Sequence, residues 1–280
     1  MIVRGALIQM RTTYDKEKNL TKAEEYIRQA AADDAALVCL QELFNTVYFC
    51  YEMDNRHFAL AEPIPGPTTD RIATLAKDLG ITIVAPLFER TVEGQYYNAA
   101  PTIGPDGRIL SVYRKSHIPL VNDPSIMGLE KYYFTPGDSG FITAPLGEQT
   151  RIGTLVCYDR HFPEGARGLA MNGAEVVLIP TATAGMSKYL WELELRAHAV
   201  DNIYYVGGVN RVGRDDGGGP NEFYGSSMWV SPRGEILAQG SDKDDDIVIA
   251  DLDLGVIAEI RNRWGFFRDR RPDLYGVLAR

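Results

Sequence analysis

Cysteine is scarce in this chain, with three in 280 residues at positions 39, 50 and 157. So odd and sparse a set builds no disulfide framework and fits a reducing compartment, so a cytoplasmic location is the expectation. Histidine is nearly as rare. His57, His117, His161 and His198 are scattered, without H-x-H, H-E-x-x-H or C-x-x-C spacing, so no metal site is expected. No apolar stretch approaches the roughly 20 residues that a bilayer span needs. The opening MIVRGALIQMR lacks the basic-then-apolar-then-small plan of a signal peptide and reads as a first strand. Positive charge is in deficit: 29 Lys and Arg stand against 38 Asp and Glu, for a net charge of −9, and no basic cluster of five or more occurs. Nucleic acid and anionic membrane surfaces are therefore poor partners.

What remains is ordinary globular material, 45% hydrophobic and 24% charged, in a chain long enough to bury a sizeable core. No Pro/Gly/Ser-rich linker divides it, so residues 1–280 read as a single domain. Strand-like and helix-like segments alternate. IVRGALIQM, AALVCLQE (35–42), ITIVAPLFER, RIGTLVCYD, AEVVLIPTAT, IYYVGGVN and IVIADLD read as strands. DKEKNLTKAEEYIRQAAADD, GPTTDRIATLAKDLG, PEGARGLAMNG and SKYLWELELRAHAVDN read as helices, and YYNAAPTIGPDGRILSVYRK as two strands around a Pro-Asp-Gly turn. The two halves show a similar pattern, a weak hint of duplication. SDKDDD (241–246) reads as a solvated loop between strands. GRDDGGGPNEF (213–223) lacks the Gly-Lys-Ser/Thr ending of a phosphate loop and reads as a mobile surface loop. Alternation of this kind predicts an α/β layer structure whose active residues collect where strands end.

Three residues sit at such ends: Glu42 after ALVCLQ, Lys115 after ILSVYR and Cys157 after IGTLV. Each has a bland alternative. A free cysteine packs as a small hydrophobe, a strand-end Glu points into solvent, and Lys115 beside Arg114 is a surface charge. Together they form a chemical set. A thiol with an intrinsic pKa near 8.5 needs a base or a cation to become a thiolate at neutral pH, and attack on an amide-like carbonyl needs a donor for the oxyanion. Cys39, inside an apolar run, and Cys50, among aromatics, read as inert.

The motifs QELF, YRKSHIP, EKYYFTPGD (130–138) and VCYDRHFPEGAR followed by NGAEVVLIPTA stand in that order along nearly the whole chain. They resemble those of the nitrilase superfamily of carbon–nitrogen hydrolases, and most closely its N-carbamoyl hydrolases. The segments LWELELRAHAVDN, GVNRVG, PNEFYGSS and WGFFRDRRPDLY look like the branch that acts on N-carbamoyl amino acids. The resemblance implies a Glu42–Lys115–Cys157 triad with Glu130 as a second, positioning glutamate. It implies a four-layer αββα sandwich, extended to eight layers in a dimer, with about residues 260–280 at the interface, and neither metal nor organic cofactor. The implied partners are a small N-carbamoyl substrate and a second copy of the chain. N-carbamoyl-β-alanine is the expected substrate, with N-carbamoylputrescine, an ω-amide or a non-catalytic binding role as alternatives. Three more residues are candidates for touching substrate: Tyr158, His117, which a loop backbone could equally engage, and Arg160. The planar guanidinium of Arg160 suits a carboxylate, but a turn-pinning pair with Asp159 or Glu164 is the alternative.

Overall fold

A computed structural model describes residues 1–92, 94–216 and 219–279. The first large sheet takes β1 (Ile2–Gln9), β2 (Leu37–Leu40), β3 (Thr82–Val84), β4 (Leu87–Arg90), β5 (Tyr96–Ile103) and β6 (Ile109–Arg114). A hairpin of β7 (Val121–Asp123) and β8 (Ile126–Gly128) leads to the second sheet. That sheet contains β9 (Thr143–Leu146), β10 (Thr150–Thr154), β11 (Val176–Pro180) and β12 (Tyr205–Val209). After the small pair β13 (Val212–Gly213) and β14 (Phe223–Tyr224), it is completed by β15 (Met228–Val230) and β16 (Ile236–Gln239), and β17 (Asp246–Asp253) returns to the first sheet. The strand orders are β17-β1-β2-β3-β5-β4, with β6 on β5, and β16-β15-β12-β11-β10-β9. Each sheet has a parallel centre, β1-β2-β3 in one and β10-β11-β12 in the other, which is what the similar halves of the sequence encode.

Period-two patterning makes the layers. Val3 and Leu7 of β1, with Leu37 and Cys39 of β2, join the core between the sheets. Ala6, Ile8, Val38 and Leu40 point the other way, onto α1 (Lys16–Ala32) and α2 (Pro67–Leu79). Leu20, Ala23, Ile27 and Ala30 are the buried stripe of α1, at the spacing that the sequence shows. Asp15 caps that helix by accepting from the Lys18 N–H. The second sheet is covered by α3 (Pro163–Met171) and α4 (Lys188–Asn202), through Ala166, Leu169, Trp191, Leu195 and Ala199. The result is the expected αββα sandwich. Among the described residues no helix is long and apolar enough to cross a membrane.

Four local expectations need correction. ITIVAPLFER is broken into two strands at Pro86, which has no N–H to continue a ladder, although β3 and β4 follow the same edge of β5 in a single register. RIGTLVCYD leaves its strand at Thr154, and Cys157 opens a 3₁₀ turn, Cys157–His161. SDKDDD is not simply solvated, since Asp245 accepts from the Arg11 N–H at 2.7 Å and pairs with Lys22. The glycine-rich 213–223 stretch is anchored at its ends by β13–β14, and Asn221 exchanges hydrogen bonds with the Met127 backbone at 2.7 and 2.8 Å. Gly217 and Gly218 lie outside the described residues.

Trp229 on β15 fills the space between the sheets because the facing strand β1 and the adjacent strand β12 carry glycine beside its ring. A Cβ on Gly5 would lie 2.5 Å from its ring, and one on Gly207 2.7 Å. Gly5→Ala should therefore overpack the core and lower stability by about 1–3 kcal/mol. Urea unfolding checks this, and an unchanged midpoint would show that the ring moves aside freely.

Candidate active site

The parallel centres decide where chemistry can gather. Glu42 follows the C-terminal end of β2, Cys157 that of β10, and Ala182 and Thr183 that of β11. β6 is antiparallel to β5, which is antiparallel to β3, so Lys115 leaves its strand at the same end. Glu130 arrives from another direction. The β7–β8 hairpin spans the long segment after Lys115 and delivers it on a short 3₁₀ turn, Glu130–Tyr132.

Four side chains converge out of water: Glu42 and Lys115 are 0% exposed, Glu130 1% and Cys157 8%. Lys115 Nζ donates to Glu42 Oε1 at 2.9 Å and to both Glu130 oxygens at 2.9 and 2.7 Å. Burial alone would lower the lysine's pKa, but the charges of Glu130 and Glu42 outweigh it and hold the pKa well above the ordinary value, so the ammonium persists. Burial pushes Glu130 up to about 7 against the pull of Lys115, with the charge of Glu42 adding to the rise. Tyr48 donates its hydroxyl to Glu130 Oε1 at 3.0 Å. Glu42 Oε1 also accepts from Asn98 Nδ2 at 2.6 Å, while its Oε2 is buried with no hydrogen-bond partner. An unsatisfied carboxylate oxygen of this kind is unusual in a folded protein, and it is the atom free to take a proton.

Cys157 has φ +50°, a left-handed backbone that costs a non-glycine residue free energy and needs support from its surroundings. Asp159 supplies it. Its buried carboxylate accepts from the Val156 N–H at 3.0 Å, the Tyr113 hydroxyl at 2.8 Å, and the backbone N–H and Nδ1 of His117 at 2.9 and 2.8 Å. One side chain thus ties the Cys157 turn to both flanks of Lys115. Burial and the charge of Glu42 push the thiol up to about 12, against Lys115 and Arg160. At rest the sulfur is a thiol, and its attack requires a base.

Cys157 lies in the wall of a cavity of about 340 Å³ whose lining includes Tyr48, Glu130, Tyr158, Arg160 and His161. Tyr158 and Arg160 are therefore where the sequence placed them, beside the thiol. His117 is not. Its ring bonds to Asp159 and stacks on Phe162 at 3.8 Å between centroids, and it lines a neighbouring cavity that shares Pro119 and Tyr158 with the first. Arg160, 1% exposed, pairs with neither Asp159 nor Glu164. Its Nε lies 3.1 Å from Glu194 Oε2 on α4, one terminal nitrogen donates to the Cys157 carbonyl at 2.9 Å, and Trp191 faces its guanidinium at 5.6 Å. Glu194 Oε1 meets His161 Nδ1 at 2.7 Å. Sequence reasoning missed Asn98, Tyr48, Glu194 and Arg211, and weighed Asp159 only as an ion-pair partner. Arg211 and Glu194 lay within quoted motifs, whereas nothing in YYNAAP distinguishes Asn98.

A thiol in a cavity wall, with a carboxylate that has a free oxygen and an ammonium buried in the same cluster, forms a set suited to acyl transfer from nitrogen to sulfur and on to water. The comparisons agree. A family model described as carbon-nitrogen hydrolase matches residues 4–262. The chain is 38% identical to an N-carbamoylputrescine amidase of Solanum lycopersicum, covering 99% of this chain and 95% of that one. It is 33% identical to a beta-ureidopropionase of Arabidopsis thaliana, over 96% of this chain and 67% of the relative. A crystal structure of a carbon-nitrogen hydrolase from Helicobacter pylori G27 superposes with a TM-score of 0.91 at 34% identity, covering 100% of this chain and 99% of that one. The chain belongs to the carbon–nitrogen hydrolase family and is a hydrolase of carbon–nitrogen bonds other than peptide bonds.

Proposed function

We propose that the protein is a cysteine-dependent amidohydrolase that removes the carbamoyl group from a small N-carbamoyl amino acid, with N-carbamoyl-β-alanine the preferred substrate. The products are then β-alanine, carbon dioxide and ammonia. In this reading Glu42 Oε2 takes the proton of Cys157 as Sγ attacks the ureido carbon. Lys115 and the backbone N–H of Tyr158 hold the oxyanion, and Glu42 passes its proton to the leaving nitrogen. Glu42 then deprotonates a water that attacks the thiocarbamate. Whichever nitrogen leaves first, the hydrolysed intermediate is a carbamic acid, which loses carbon dioxide. Glu130 positions Lys115 through its two contacts.

Two variants and one reagent test the chemistry. Cys157→Ala and Glu42→Gln should each abolish ammonia release while the folded protein survives, because residues of such a set act as a unit. With a thiol held up to about 12, alkylation by iodoacetamide should climb with pH through 9 without levelling, as the thiolate fraction grows. Loss of activity to a chelator, restored by zinc, would sink the cysteine mechanism.

The choice of an acid substrate rests on one observation: the buried guanidinium of Arg160 stands in the wall of the thiol cavity, where Glu130, the only carboxylate in the lining among the described residues, is already bonded to Lys115. A carboxylate at the far end of the substrate suits that guanidinium. A second reading, N-carbamoylputrescine, is favoured by the tomato relative and by Glu194, which offsets the charge of Arg160. An ammonia-release panel of N-carbamoyl acids, N-carbamoyl amines and a small neutral amide separates the two. Arg160→Met should lower kcat/KM for N-carbamoyl-β-alanine by roughly 2–5 kcal/mol of binding, with a much smaller loss on the neutral amide. Equal losses would reduce Arg160 to a fold support, and a wild-type preference for N-carbamoylputrescine would select the second reading.

We further propose that the chain pairs with a second copy, extending the sandwich to eight layers. Beyond α5 (Gly255–Arg263) the tail exposes Trp264, Phe266, Leu274, Tyr275, Val277 and Leu278. Part of it folds back, since Arg167 and Arg261 face the ring of Phe267. The exposed remainder has the aromatic content of an interface core. Light scattering at micromolar concentration should give at least twice the 31.1 kDa chain mass, and a monomer would refute the pairing.

A further inference from the structure

We infer that Arg211 is a positioning residue for the general base: a buried guanidinium that fixes the backbone bend carrying Glu42, without touching the substrate cavity. The inference rests on the reading of Glu42 as base. Arg211 is 0% exposed, two residues past the end of β12 in the second sheet, and is absent from the lining of the thiol cavity. It reaches across to the first sheet. Nε and one terminal nitrogen donate to the Glu42 carbonyl at 3.2 and 3.1 Å, and that same nitrogen donates to the carbonyls of Leu43 and Thr46 at 2.6 and 2.7 Å. The other terminal nitrogen donates to Thr12 Oγ1 at 2.6 Å and to both Asp215 oxygens at 3.0 Å.

Three carbonyls from one tight stretch facing one cation is a conformation that the stretch does not adopt unaided. Leu43, directly after the base, has φ +52°, a left-handed backbone on a fully buried leucine. Dipoles crowded in this way repel one another, and although the Leu43 carbonyl also accepts from the Thr46 N–H at 3.1 Å, the fork of N–H donors is the one group among the described residues that meets all three. The counter-ion extends the same control. Asp215 Oδ2 accepts from the Tyr48 N–H at 2.7 Å, and Tyr48 donates its hydroxyl to Glu130. One Arg–Asp pair therefore sets the backbone of the base and that of the tyrosine bonded to the second glutamate. The Cys157 turn is held separately, by Asp159.

This separation makes the inference testable on the purified full-length chain. Arg211→Lys keeps a cation for Asp215 and loses the fork. Arg211→Met removes both and serves as a second variant if it folds. Arg211→Lys should lower kcat by roughly 100-fold or more while KM stays within about threefold, since only transition-state contacts suffer. Iodoacetamide alkylation of Cys157 at pH 9, where hydroxide rather than Glu42 ionises the thiol, should stay near the wild-type rate, because the nucleophile's turn is untouched. A cycle with Glu42→Asp, which keeps a carboxylate on a shorter side chain, carries the decision. If Arg211 acts through Glu42, the double variant should be within about threefold of the weaker single variant, far from the product of the two losses. Multiplying losses, or slowed alkylation in parallel with kcat, would mean that Arg211 only holds the fold together and would overturn the inference. If Glu42→Asp leaves kcat unchanged, the reading of Glu42 as base fails first and takes the inference with it.

Discussion

One cation buried between two carboxylates governs everything around it. Taking Lys115, Glu42 and Glu130 out of water costs several kcal/mol per ion, and the fold recovers this only by bringing all three to hydrogen-bond distance. Two negative groups share one positive neighbour, which leaves a surplus of negative charge. Burial is the larger cause of the raised pKa of Glu130 and of the thiol, and the charge of Glu42 adds to it. The same arrangement that makes the cluster tolerable keeps Cys157 protonated and unreactive until a substrate carbonyl arrives to accept the sulfur's electrons while Glu42 accepts its proton. The resting site is quiet because it is buried, and it becomes reactive only as a set.

Holding such a set within tenths of an ångström falls to groups that never reach the cavity. Lys115 and Cys157 come from different sheets, and Asp159 joins their loops with four accepted hydrogen bonds. The strained φ of Cys157 persists because the surrounding turn over-determines it. Gln41 contributes on the other side, bonding the Met10 N–H and carbonyl at 2.6 and 2.7 Å and so fixing the strand end just before the base. The sandwich brings strand ends together roughly, and buried polar side chains complete the alignment.

This division explains what could be read from the sequence and what could not. The layers were legible because alternation in IVRGALIQM and the helical spacing of Leu20, Ala23 and Ile27 follow directly from strand and helix geometry. Glu42, Lys115 and Cys157 were legible because charged or nucleophilic residues at the ends of apolar runs are uncommon enough to be noticed, and the motif resemblance gathered them. The anchoring of Asn221 was not, because it depends on which segment becomes a neighbour. The two readings of His117 stayed open for the same reason: its distance from Lys115 along the chain says nothing about Asp159, forty-two positions away, which bonds its ring. Arg160 was placed correctly beside the thiol, yet its partner Glu194 lies on a helix that no local pattern links to it.

The position of Glu194 bears on how one fold can serve several substrates. Glu42, Lys115 and Cys157, with the groups that hold them, come from strand ends and the loops just beyond them; Lys115 is bonded to Glu42, and Asp159 ties the Cys157 turn to the residues flanking Lys115. Arg160, His161 and Glu194 form a second group, joined to the first mainly through the Cys157 carbonyl. Glu194 belongs to α4, an outer-layer helix that does not carry the reacting atoms. Charge at Glu194 can therefore be altered from outside the strand ends that carry the reacting atoms. A binding end that tolerates change beside a reacting end that does not would let relatives with this architecture differ in the molecule they accept while keeping the bond they break.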